Sequence, residues 1–149
     1  MSKSNTWESD LLLLLFNNTD AANIGDAAGL QNSAAAGSLY VALHTADPGE
    51  TGTQATSETT YTGYARVAVA RSGAGWTVSG TAPTQVTNAA TITFGACTVG
   101  TPTITYFSVG KEASGATAML YSGILTASLA VSPGITPSFA ASALVITED

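Results

Sequence analysis

LYVALHTADPGETGTQATSETTYTGYARVAVAR, residues Leu39–Arg71, sets the fold class. Leu39, Val41 and Leu43 alternate with Tyr40, Ala42 and His44, the period of two expected of a strand with one buried face. Asp47-Pro48-Gly49 ends that strand: proline presets φ, and glycine accepts the positive φ of a turn. Residues 50–63 read as a long polar loop with no core residues. Alternation resumes from Tyr64 to Arg71, with Val67 and Val69 on the face opposite Arg66.

Working outward, Trp76 and Val78 read as a short strand returning against the previous one, after a turn at Gly73 and Gly75. Thr91–Phe94, Ile104–Val109, Leu120–Leu125 and Ala143–Thr147 are further strands. Gly115 sits in a turn, and Pro133 and Pro137 bracket a turn-rich connection. About eight short strands with turn signals between them predict a mainly β fold, an antiparallel β-sandwich or jelly-roll-like barrel. The order is not βαβα, so a parallel α/β sheet is disfavoured. No fixed repeat suggests a solenoid.

Residues 1–6 read as an N-terminal arm, and 7–149 as a single β-rich domain opening with one short helix at about 7–17. Asn5 and Glu8 have the spacing of a capping box. Trp7, Leu11, Leu14 and Leu15 form one helical stripe, which Leu12, Leu13 and Phe16 widen beyond an amphipathic face. Such a helix must be buried on most sides, by its own sheet or by a neighbouring chain. The apolar run Leu11–Phe16 falls far short of the ~20 residues of a bilayer span. Glu8 and Asp10 before it also argue against a signal peptide.

Only 9% of the 149 residues are charged, against roughly 25% in an average soluble domain. A surface so poor in charge is expected to be covered in part by other subunits. The net charge is −6, and the bases are Lys3, Arg66, Arg71 and Lys111. That is too few for a phosphate-binding surface, so neither nucleic acid nor an anionic membrane is an expected partner. Cys97 stands alone, so no disulfide within the chain is possible, and no local base or cation activates its thiol. It reads as a buried small hydrophobe in a protein made in a reducing cytoplasm.

Chemistry is sparse. His44 is the sole histidine; with one cysteine far away it starts no zinc site, and no G-x-S-x-G elbow supports a Ser-His-Asp triad with Asp47. It is expected to end its strand and hydrogen-bond a loop. Asp47, Glu50 and Glu58 lack EF-hand spacing and read as a solvated acidic loop. RSGAGW lacks the third glycine of a dinucleotide loop and has no helix to receive a phosphate. Tyr61, Tyr64, Trp76, Tyr106 and Tyr121 suit core edges or subunit contacts better than a sugar platform. No catalytic set and no cofactor or metal site is expected.

Three pieces together resemble a family of small tailed-bacteriophage virion proteins often labelled tail fibre proteins. They are LLLLLFNNT at Leu11–Thr19, LYVALHTADPGETG at Leu39–Gly52 with YARVAV at Tyr64–Val69, and the ending from Ile104 to Asp149. Where that family commonly carries an Asp, this chain has Gly110-Lys111-Glu112. The resemblance implies a non-enzymatic virion protein. A true fibre would carry a long, repetitive shaft, which is missing here. The leading expectation is therefore a capsid decoration (cement) protein on the head surface. The alternative is a small tail or tail-fibre-associated protein in host attachment, and a glycan-binding module is a third class. The expected partners are further copies of itself in a homotrimer, and the major capsid protein or a tail structural protein. The candidate interface residues are Trp7, Leu11, Leu12, Leu13, Leu15, Phe16, Arg66, Arg71, Asp47 and Glu50.

Overall fold

The computed structural model describes residues 2–80 and 84–148. Among the described residues one helix, α1 (Asn5–Asn17), precedes nine strands: β1 (Ser38–His44), β2 (Val67–Ala70), β3 (Trp76–Ser79), β4 (Thr84–Asn88), β5 (Ile92–Thr93), β6 (Thr103–Gly110), β7 (Met119–Ala130), β8 (Ser138–Phe139) and β9 (Val145–Glu148). The fold is mainly β, and its paired strands run antiparallel. The chain forms two compact units. One holds the N-terminal segment to Ser38, Ala70–Thr91 and the C-terminal segment from Ala140; the other holds Leu39–Val69 and Ile92–Phe139.

In the first unit, α1 starts earlier than the apolar run suggests, because Ser4 rather than Asn5 caps it. The Ser4 hydroxyl accepts from the Trp7 N–H at 3.3 Å, filling one of the orphan donors of the first turn. Asn18 ends the helix in the left-handed region, φ 55°, and its N–H returns to the Leu13 carbonyl. Leu12 and Phe16 are fully buried, and Phe16 meets Trp76 of β3 edge to face at 4.9 Å. Burying each such side chain contributes about 1.5–3 kcal/mol. The sheet order is β3-β4-β9. β3 therefore does not return against β2: Trp76 lies opposite Asn88, on a strand whose polar sequence hid it. Asn88 is buried because its amide donates to the Ala90 and Ala140 carbonyls while its oxygen accepts from the Leu144 N–H.

The second unit carries the sheet β2-β1-β6-β7 and the pair β5-β8. Contrary to the single buried face expected of β1, every residue from Val41 to His44 is buried. β1 is a central strand, and the loop that follows folds back onto it: the Thr59 N–H donates to the Leu43 carbonyl, and the Thr45 N–H to the Ser57 carbonyl. That loop also supplies core residues, against expectation, since Gln54, Thr59 and Tyr61 are buried. A chain of aromatic rings runs through the unit. Tyr61 meets Tyr64 edge-on, Tyr64 stacks on Phe94, and Phe94 and Phe107 both meet Phe139. Phe139 belongs to β8, a strand that the prolines at 133 and 137 concealed. Among the described residues no sheet closes on itself, so the barrel form of the expected fold is not made; β2 and β7 are open edges, as are β3 and β9.

Candidate functional site

The polar side chains most able to act gather in the second unit, under an open cleft of about 500 Å³. The cleft is lined by Glu58, Thr59, Tyr64, Arg66, Ser114 and Gly115 among others. Beneath it lie three fully buried polar residues, His44 at the end of β1, Gln54 in the loop and Ser108 in β6. β1 and β6 pair with Ala42 opposite Ser108, which sets that serine beside the strand end.

Arg66 organises the cluster. Its Nε and Nη2 donate to the two Glu58 carboxylate oxygens, each at 2.7 Å. Nη1 donates to Gln54 Oε1 at 3.3 Å and to the Glu112 carbonyl at 3.1 Å, and Nη2 also reaches the Gly115 carbonyl at 2.8 Å. All five guanidinium N–H donors are thus used inside the chain. The Arg66 side chain is 2% exposed and that of Glu58 17%. Hydrogen bonding to Glu58 is the main cause that raises the Arg66 pKa further above its ordinary value. The Tyr64 hydroxyl donates to Glu58 Oε1 at 2.8 Å and accepts from the Leu43 N–H at 3.0 Å. Burial drives its pKa well above the usual phenol value.

Gln54 carries the network inward. Its amide donates to the Tyr40 carbonyl at 2.9 Å and to Ser108 Oγ at 3.3 Å. Ser108 Oγ lies 2.7 Å from His44 Nε2, and His44 Nδ1 lies 2.8 Å from the Thr56 carbonyl. A carbonyl can only accept, so Nδ1 carries the proton and Nε2 accepts from the serine. Burial lowers the His44 pKa below 6.5, which favours this neutral ring. The serine–histidine contact has the geometry of an activated nucleophile. Ser108 is nevertheless fully buried, its other partner is an amide, and a backbone carbonyl stands where a carboxylate would orient the ring. The histidine holds a loop, as its strand-end position predicts. Gly110 makes room for the network, since a Cβ there would overlap the Gln54 side chain.

Asp47 has no part in this cluster. Its carboxylate accepts from the Gly49 N–H at 2.9 Å, shaping the turn, and both Asp47 and Glu50 are exposed. Arg66 is not available for a partner's acids, because its charge is matched by Glu58. Arg71, in the first unit, is likewise engaged: it donates to the Leu15, Leu14 and Ala36 carbonyls. Leu12 and Phe16 are consumed by their own unit, while Trp7, Leu11, Leu13 and Leu15 remain half-buried. No group of three or more His, Cys, Asp or Glu among the described residues could hold a metal ion. Cys97 is buried, its thiol facing the Gly100 carbonyl. Gln54 and Ser108 escaped sequence reasoning. The usable signal was Arg66 itself, an arginine between aromatic and β-branched neighbours in a chain with few charges.

The fold and this cluster define a β-rich protein with a polar clamp inside its second unit. Over residues 2–147 the chain matches the family of the podophage GP4 fiber I protein gp80, and it belongs to that family of phage structural proteins. No curated protein sequence matches it. No helix among the described residues is long and apolar enough to cross a membrane.

Proposed function

We propose that this chain is a non-enzymatic component of a podophage virion that works at the tail, in or beside a fibre, and contributes to host attachment. The family match across nearly the whole chain carries the reading. It favours the tail over the head surface that the short length and missing shaft suggested. The clamp supports a structural role, because its strongest donors and acceptors are spent on one another and on backbone. It fixes the loop after β1 and the turn after β6 in one conformation, which suits a protein presenting a preformed surface. A glycan platform gains no support at the cleft, where Tyr64 is half-buried and already committed to Glu58 and Leu43.

Phage particles lacking the protein test this directly. They should form, package and withstand heat as wild type does, yet adsorb poorly to host cells. Particles that adsorb normally but release their genomes at lower temperature would place the protein on the capsid as cement and overturn the tail reading.

A further inference from the structure

The hydrogen bonds of the clamp run in one direction, and nothing in it can reverse them. Arg66 only donates, and its Nη1 fixes Gln54 Oε1 as an acceptor. The Gln54 amide nitrogen therefore points at the Tyr40 carbonyl and at Ser108 Oγ. Ser108 gives its proton to His44 Nε2, and His44 Nδ1 gives its own to the Thr56 carbonyl. The relay thus starts at a group that only donates and ends at one that only accepts. His44, Gln54 and Ser108 are all fully buried. A proton added at Nε2 sets two donors face to face at Ser108. Flipping Gln54 in response would turn its N–H groups toward the Arg66 guanidinium.

We infer that the segment Thr53–Glu58 is a proton-gated cover: a proton on His44 breaks the Ser108 contact, and the segment lifts from the ring while β1 and β6 stay paired. The segment lies over the ring. Thr56 takes the Nδ1 proton, Ser57 accepts from the Thr45 N–H, and Glu58 bridges to His44 itself. Its movement has two defined ends. Gly49 precedes it at φ 68° with open space where a Cβ would stand, and Tyr61 follows it, pinned by its hydroxyl to the Gly95 carbonyl. No free carboxylate waits to receive the charged ring. Glu58 is matched by Arg66 through both of its oxygens and also holds the Tyr64 hydroxyl. Across β6 the ring's register partner is Tyr106, and β2 carries no ionisable side chain. Lys111 and Glu112, in the turn after β6, are exposed. Burial is the largest influence on the ring and keeps it neutral, with Arg66 acting in the same sense and the Thr56 carbonyl and Glu58 in the other. The closed form therefore excludes a proton that the open form accepts, so opening grows as pH falls.

His44 is the sole histidine, so its ring signals in a proton NMR spectrum of the full chain report its charge directly. The test lowers the pH from 7.5 and follows that ring together with amide hydrogen exchange, corrected for the intrinsic pH dependence of exchange. The Gln54 and Thr45 amides donate to the Thr117 and Ser57 carbonyls. Their protection should fall by up to about tenfold per pH unit as the ring charges. Amides of the β1–β6 pair should keep theirs, and the indole signal of Trp76, in the first unit, should not move. His44→Gln should make the Gln54 protection independent of pH; should that variant fail to fold, the wild-type titration decides alone. A ring that charges while Gln54 and Thr45 stay protected overturns the proposal. So does protection lost equally across the β1–β6 pair, which is unfolding of the unit as a whole. A ring that stays neutral until the Trp76 signal collapses overturns it too, as does a folded His44→Gln chain that keeps the wild-type pH dependence. None of these results bears on whether the virion uses the protein at its tail.

Discussion

Arg66 and Arg71 stand five positions apart in the sequence and do different work in different units. In sequence both look like free cations waiting for an acidic partner. Arg66 is buried and matched by a carboxylate, an amide oxygen and two carbonyls. Arg71 is half-buried and gives its protons to neutral oxygens, two of them the Leu14 and Leu15 carbonyls at the end of α1. There it satisfies acceptors that a helix leaves orphaned and opposes the negative end of the helix dipole. The comparison teaches that a charge inside a network is judged by what its removal strands. Loss of Arg66 strands the buried Gln54 oxygen and leaves Glu58, which still reaches water through the cleft, without its cation. Loss of Arg71 exposes carbonyls that solvent can reach.

The largest expected effect is therefore at Arg66. Arg66→Met should destabilise the protein by ~1.5–3 kcal/mol, the usual cost of losing hydrogen bonds to a charged group that leave a buried acceptor unpaired. Urea titrations followed by fluorescence would measure it. Adding Glu58→Leu should recover part of the loss, and an additive double variant would show that the pair is not a unit. Arg71→Met should cost only ~0.5–1.5 kcal/mol by the same measurement. An equal loss at both positions would break the comparison.

The smallest effect is a slope with pH. Burial holds the folded-state pKa of His44 below the unfolded value of 6.5. Its contribution is fully present above pH 6.5 and is lost as pH falls through the folded value, because the unfolded ring takes up its proton first. Stability should decline as pH falls below 6.5 in wild type. His44→Gln, which keeps a polar atom near Ser108, should flatten that part of the profile. A wild-type curve level over the same range would show that protonation leaves the ring's hydrogen bonds in place.

Much of the fold was legible where alternation was strong. β6 and β3 fall where ITYFSV and WTV put them, and the helix ends at Asn17, where the expected range closes. What stayed hidden depends on partners distant in sequence. β4 is polar at four of its five positions, and Asn88 ties it to Ala140 and Leu144. β8 follows a proline and is held by Phe94 and Phe107. The clamp joins His44 to a serine 64 residues away and Arg66 to a carbonyl 49 residues away. No local pattern encodes such pairings, since each of its residues alone reads as an ordinary loop or strand-end polar group.

The loop from Asp47 to Gly63 has one further consequence. Its anchors are Gln54, Glu58, Thr59 and Tyr61, which face inward, whereas Asp47, Glu50, Thr51, Ala55, Thr60 and Thr62 face solvent. Shape and outward chemistry are thus written in separate letters of the same segment. Substitutions at the solvent-facing positions can accumulate without the backbone moving, so the surface is free to drift while the fold beneath it stays constant.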